Sequence, residues 1–115
     1  MRRYSILIVD DENNVTKLLD KFLKKEGYST LTASCGEEAL DVINSHQVDI
    51  VITDIKMPRI SGIELLSRIR EIDSSIKVIL ITAFATVETA VEALKMGAVD
   101  YITKPFDLNE VLLSI

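Results

Sequence analysis

Tryptophan is absent from these 115 residues, cysteine occurs once, proline twice and glycine four times. The lone Cys35 has no partner in the chain, so no internal disulfide can staple the fold. That usage suits a reducing compartment, and a cytoplasmic location is expected. So few prolines and glycines exclude a Pro/Gly-rich linker, and neither an internal repeat nor a low-complexity tract is visible. Long hydrophobic runs are missing as well. The longest aliphatic stretches, Ile6-Leu7-Ile8-Val9 and Val78-Ile79-Leu80-Ile81, have four residues each. A membrane span takes about 20 apolar residues and a signal peptide a core of roughly 7–15, so neither is expected. Positive charge is in deficit: 13 Lys and Arg against 18 Asp and Glu leave a net charge of −5. This balance argues against broad attachment to nucleic acid or anionic lipid, and Arg2 and Arg3 are too few for a basic arm.

What is present is an ordinary globular mixture, 48% apolar and 27% charged. One domain over residues 1–115 is expected, large enough to remove roughly 65% of its unfolded-chain surface from water. Aliphatic runs at Ile6–Val9, Val48–Thr53 and Val78–Thr82, with weaker ones at Tyr28–Ala33 and Val99–Thr103, read as strands. Between them apolar residues fall at helical spacing, as in Val15, Leu18, Leu19, Phe22 and Leu23, or Val87, Ala90, Val91 and Leu94. Gly27 after Lys24 and Lys25, and Gly97 after Lys95, read as helix ends. Ser34 with Glu37, and Asp107 with Glu110, have capping-box spacing at helix starts. Five β-α pairs in alternation predict an α/β, doubly wound, five-stranded parallel sheet. The second and fifth runs carry polar residues and belong at the edges, compatible with strand order 2-1-3-4-5. Ligands of such sheets bind beyond the carboxyl ends of the strands.

Those ends carry a polar set. Asp10, Asp11 and Glu12 follow the first run, Asp54 the third, Thr82 closes the fourth, and Lys104 with Pro105 follows the fifth. Any one of these carboxylates alone is better explained as a helix cap. Capping one helix does not need both Asp10 and Asp11, however, and Asp54 faces them across the predicted crevice. Two unit charges about 4 Å apart repel by roughly 4 kcal/mol at an effective dielectric near 20. Raised pKa values or a cation must relieve that repulsion, and a hard divalent ion such as Mg2+ (or Mn2+) takes oxygen ligands of this kind. Lys104 adds an ammonium and Thr82 a hydroxyl, a set suited to a transient extra anion such as a phosphoryl group on Asp54.

The sequence resembles the receiver domain of bacterial two-component response regulators over essentially its whole length. The resemblance is carried by Ile8-Val9-Asp10-Asp11-Glu12, by Asp54 through Gly62 with Lys56-Met57-Pro58, by Ile81-Thr82-Ala83, and by Tyr101-Ile102-Thr103-Lys104-Pro105-Phe106. The stretch from Thr82 to Phe106 is similar to receivers of nitrogen-regulation-type activators that work with the sigma-54 polymerase. The resemblance implies a flavodoxin-like fold in which Asp54 takes a phosphoryl group from a sensor histidine kinase. It further implies that Asp11 and Asp54 contact the metal directly, Asp10 mainly through water, and Lys56 through its backbone carbonyl. Thr82 and Lys104 would hold the phosphoryl group. Tyr101 would move as Thr82 moves, resetting the face of the fourth helix and fifth strand, through which a homodimer could form with Glu88, Glu92 and Lys95 exposed. Pro105 would follow a cis peptide bond.

Other residues read more plainly. Lys56 and Phe84 stand two positions after Asp54 and Thr82, where they could restrict water and prolong an acyl phosphate. Phe84 could equally be ordinary loop packing. His46 lacks any ligand-spaced partner, Cys35 lacks a basic neighbour to activate it, and Met57 and Met96 read as packing or partner-surface residues. The last helix, with Leu108, Val111, Leu112 and Ile115 still in period, carries no stop signal, so a truncated fifth helix and an output domain outside the chain are expected. Three other readings stay open. A haloacid-dehalogenase-type phosphatase would want a carboxylate where Lys56 stands, and a flavin carrier would want a phosphate loop where the acidic run stands. A receiver acting without phosphorylation is the third.

Overall fold

The computed structural model describes residues 4–115; Arg2 and Arg3 lie outside the described residues. The chain runs β1 (Ser5–Val9), α1 (Asn13–Lys25), β2 (Ser29–Ala33), α2 (Gly36–Ser45) and β3 (Ile50–Asp54). It continues with α3 (Gly62–Ile72), β4 (Lys77–Thr82), α4 (Val87–Lys95), β5 (Asp100–Thr103) and α5 (Leu108–Ser114). All five strands are parallel, in the order β2-β1-β3-β4-β5. Leu7 pairs with Leu31 on one side and Val51 on the other, and Val51 in turn with Val78.

Strand alternation divides the interior in two. Leu7, Val9, Val51, Val78 and Leu80 face one way, onto Ala39, Ile43, Leu65, Leu66, Ile69 and Ala93 of α2, α3 and α4. Ile6, Ile8, Ile50, Ile52, Ile79 and Ile81 face the other way, onto Leu19 and Leu23 of α1 and Val111 of α5. Because both faces are covered, every residue of β3 is buried, whereas the edge strands β2 and β5 are only partly so. Each fully buried leucine is worth about 2–5 kcal/mol against alanine, so this double core fixes the register of the strands that end at the site.

Gly27 and Gly97 end α1 and α4 with φ of 96° and 98°, a region glycine enters without a side-chain penalty. The expected Ser34–Glu37 capping box is not formed. α2 starts at Gly36, with Cys35 at the cap position making no side-chain cap bond. Ser34 instead donates its amide to Glu38 at 3.1 Å. Packing sets this start, since a Cβ on Gly36 would lie 2.7 Å from Ile60 Cβ. Asp107 does cap α5, accepting from the Asn109 amide at 2.8 Å.

The fourth helix departs most from its sequence pattern. Its apolar stripe of Val87, Val91 and Leu94 is 81%, 44% and 53% exposed, and Ala93 alone among its residues is buried. A reciprocal Thr86/Thr89 capping box opens it.

Candidate functional site

The tight parallel register of β1, β3, β4 and β5 brings Asp10, Asp54, Thr82 and Lys104 to one edge of the sheet. Lys104 Nζ donates to Asp10 Oδ2 at 2.9 Å and to Asp54 Oδ2 at 3.1 Å, with Glu12 Oε1 at 3.4 Å. Carboxylate oxygens of Asp10, Glu12 and Asp54 all lie within 4.8 Å of one another. The pairing spans 94 and 50 residues of sequence, so only the fold creates it. Lys104 itself is placed by its amide, which donates to the Thr82 carbonyl at 2.8 Å; the Lys104–Pro105 peptide that follows is cis.

Asp10 and Asp54 are 3% and 6% exposed. Burial raises the Asp10 pKa, against the opposing pull of the Glu12 amide and of Lys104. Burial also works against the Lys104 charge, but hydrogen bonds to Asp10 and Asp54 outweigh it, and its pKa is raised. Three carboxylates share one ammonium, two of them nearly buried and Glu12 at the exposed rim, leaving an excess of negative charge. Oxygen donors so disposed, short of positive charge, fit a hard divalent cation.

The surrounding loops are equally specific. Gly62 opens α3 directly beneath the β3 end, where a Cβ would lie 2.2 Å from the Asp54 carbonyl oxygen. No side chain fits there. The Gly62 amide closes the loop on the Ile55 carbonyl at 2.7 Å, and Ser61 caps α3 through the Glu64 amide at 3.1 Å. The Lys56 amide approaches Asp54 Oδ1 at 3.4 Å, and its ammonium sits 4.1 Å from the centre of the Phe84 ring, across the mouth of the cleft. Thr82 is fully buried and its hydroxyl accepts from the Phe84 amide at 3.1 Å. Tyr101, half-buried, meets Thr89 of α4 at 2.7 Å between the two hydroxyl oxygens.

Of the residues picked out in the sequence, Asp10, Asp54 and Lys104 are in direct contact, and Thr82 lies at the same edge. Asp11 is exposed and is not among the carboxylates that converge. Asp10 Oδ1 accepts from the Glu12 amide at 2.9 Å, making a tight turn with Asp11 at its apex. Glu12, expected at the cleft mouth but not in the metal set, takes its place in the cluster. Glu12 occupies the cap position of α1 without a side-chain cap bond and so is free to reach inward, which no pattern in the sequence signals. Thr89 also escaped notice. Cys35 is half-buried and free, and Met57 is a core residue.

The sequence and the fold match known proteins over nearly the whole chain. A family model described as the response regulator receiver domain matches residues 6–115, and the chain belongs to that family. It is thus the receiver domain of a two-component response regulator, a regulatory signalling domain. Regulatory protein AtoC of Escherichia coli K12 is 46% identical over 110 residues, covering 96% of this chain and 24% of AtoC. Sporulation initiation phosphotransferase F of Bacillus subtilis 168 is 40% identical over 111 residues, covering 96% of this chain and 90% of that protein. The solved response regulator receiver protein from Pseudomonas putida superposes with a TM-score of 0.94 at 30% identity, covering 99% of this chain and 96% of its own. The chain therefore spans about a quarter of AtoC but nearly all of the phosphotransferase.

Proposed function

We propose that Asp54 is the phosphoacceptor of this receiver. A carboxylate oxygen of Asp54 forms a bond to phosphorus as the P–N bond to a kinase imidazole breaks, the ring nitrogen keeping the electron pair. The observation that carries this reading is Lys104 Nζ held between Asp10 and Asp54 at 2.9 and 3.1 Å. That ammonium is positioned before any reaction to meet the charge that an added phosphoryl group brings. Thr82 supplies a hydroxyl that could turn from the Phe84 amide to a phosphoryl oxygen. Asp10, Asp54, the Lys56 carbonyl and either Asp11 or Glu12 would hold Mg2+ or Mn2+. Bound there, the ion supplies charge neutralisation on the transferring oxygens. The chain does not turn over a free substrate; water returning the phosphoryl group to phosphate is the only further chemistry.

The kinase partner is a sensor histidine kinase, and the open apolar groove of Val15, Leu18, Pro105 and Phe106 beside Lys104 is its natural seat. Output passes to an attached domain, transcriptional as the resemblance to sigma-54-type activators supports, through the exposed Val87, Val91 and Leu94 stripe of α4. The same stripe, with Glu88, Glu92 and Lys95, suits a homodimer. A cytoplasmic placement is supported by the family; no helix among the described residues is long and apolar enough to cross a membrane.

Incubation with phosphoramidate, a small donor with a P–N bond, and Mg2+ tests the reading. Intact-mass measurement should find one added phosphoryl group, absent when the metal is chelated before the donor is added and absent in Asp54→Asn. Equal modification of that variant would refute it.

A further inference from the structure

Thr89 carries more hydrogen bonds than a helix cap requires. Its hydroxyl oxygen accepts from the Thr86 amide at 3.2 Å, lies 2.9 Å from Thr86 Oγ1 and 3.1 Å from the Thr86 carbonyl, and meets the Tyr101 hydroxyl at 2.7 Å. A threonine hydroxyl has one proton to give and two lone pairs to fill. Every group is satisfied when Thr89 donates to Thr86 and accepts from both the Thr86 amide and the Tyr101 hydroxyl. The Tyr101 bond thus completes the oxygen that opens α4.

We propose that Thr89 is a positioning residue: its hydroxyl holds the Tyr101 ring against the amino end of α4, so that ring position and the first turn of α4 form one coupled unit. This rests on the reading of Thr82 and Tyr101 as the parts that respond to Asp54. Tertiary packing does little to hold the start of α4, because Val87 is 81% exposed and Ala93, two turns on, is the helix's one buried residue. The hydroxyl network therefore carries that helix start. When Tyr101 rotates away, Thr89 loses one of the two donors to its hydroxyl, and the Thr86/Thr89 capping box, though it keeps its own two bonds, loses the contact that anchors it to β5. Any event that draws the ring elsewhere therefore loosens the helix whose apolar stripe is exposed. Conversely, a partner that clamps the start of α4 holds the ring in place, by reciprocity of the coupling.

The test uses unphosphorylated protein labelled with 3-fluorotyrosine, which reports Tyr4, Tyr28 and Tyr101 as separate fluorine resonances. Thr89→Val should move the Tyr101 resonance and leave the other two in place, and Thr89→Ser should restore it. Because Thr89→Val also breaks the cap, Tyr101→Phe provides the reverse arm with both threonines intact. Amide exchange at Thr86, Thr89 and Ala90 should rise roughly two- to twelvefold in that variant, the range set by one net hydrogen bond. A Tyr101 resonance unmoved by Thr89→Val, or unchanged exchange in Tyr101→Phe, would overturn the coupling. Neither arm uses a phosphodonor, so failure of Asp54 to accept phosphate would leave this result standing and readable.

Discussion

Replacing Lys104 with methionine keeps the length of the side chain and removes the one ammonium that Asp10, Glu12 and Asp54 share. The side chains of Lys104, Asp10 and Asp54 are 11%, 3% and 7% exposed, so water cannot screen what is left behind. Breaking a buried pair by deleting one partner costs about 3–5 kcal/mol, most of it from the uncompensated charge. The two aspartates then repel each other, by about 4 kcal/mol at 4 Å and an effective dielectric near 20. Partial protonation of Asp10, already favoured by burial, relieves part of this, so the low end, about 3 kcal/mol, is expected in the absence of metal. At about 4 °C per kcal/mol for a domain of this size, melting followed by circular dichroism in chelator should fall by about 12 °C. Magnesium should then recover more stability in Lys104→Met than in the parent, because no ammonium competes for the same oxygens. Saturation to about 100 times the dissociation constant returns about 2.7 kcal/mol. A variant melting within about 2 °C of the parent in chelator, or a larger magnesium gain in the parent, would refute this electrostatic reasoning.

Three further outcomes follow from the same cleft. The native state holds the Asp10 proton more tightly than the unfolded chain does, so stability falls as pH rises through the carboxylate range. Asp10→Asn should therefore melt higher than the parent at neutral pH without metal, and lose the stabilisation that magnesium gives; a lower melting temperature would contradict the cause assigned. Gly62→Ala places a methyl 2.2 Å from the Asp54 carbonyl oxygen, against backbone that cannot swing aside. Urea unfolding should show a loss of about 1–3 kcal/mol or more, and an unaffected midpoint would mean the loop gives. Lys56→Asn with Phe84→Ser removes the cation–π contact over the cleft, and the decay of a loaded phosphoryl group, timed by intact mass, should quicken several-fold. An unchanged decay would return Phe84, 62% exposed, to the role of an ordinary loop residue.

Much of this was legible in the chain because the central strands are apolar throughout. Ile6–Val9 and Val78–Ile81 admit few readings, and the polar residues of β2 and β5 assign the edges. The residues at the strand ends follow once the order is known, which is why Asp10, Asp54 and Lys104 converge as expected. What periodicity could not show was which way a turn throws its side chains. Asp10 accepting from the Glu12 amide sends the chain round Asp11 and brings Glu12, not Asp11, among the clustered carboxylates. One helix start was misread, since close packing of Gly36 on Ile60 overrides the Ser34 signal. The start of α4 went unread, because a threonine stands at the third position where the usual box has a glutamate or glutamine. The stripe of Val87, Val91 and Leu94 has core periodicity yet faces outward, since amphipathic spacing does not say what an apolar face is meant to meet.

Borohydride trapping offers the most direct test of Asp54 as acceptor. An acyl phosphate on an aspartate is reduced to homoserine, which marks its own position in a peptide map. After treatment with acetyl phosphate and Mg2+, homoserine should replace Asp54 and no other residue, and chelator should abolish it. Homoserine at Asp10 or Asp11, reduction of Glu12 to 2-amino-5-hydroxypentanoic acid, or a yield indifferent to the metal, would contradict the account.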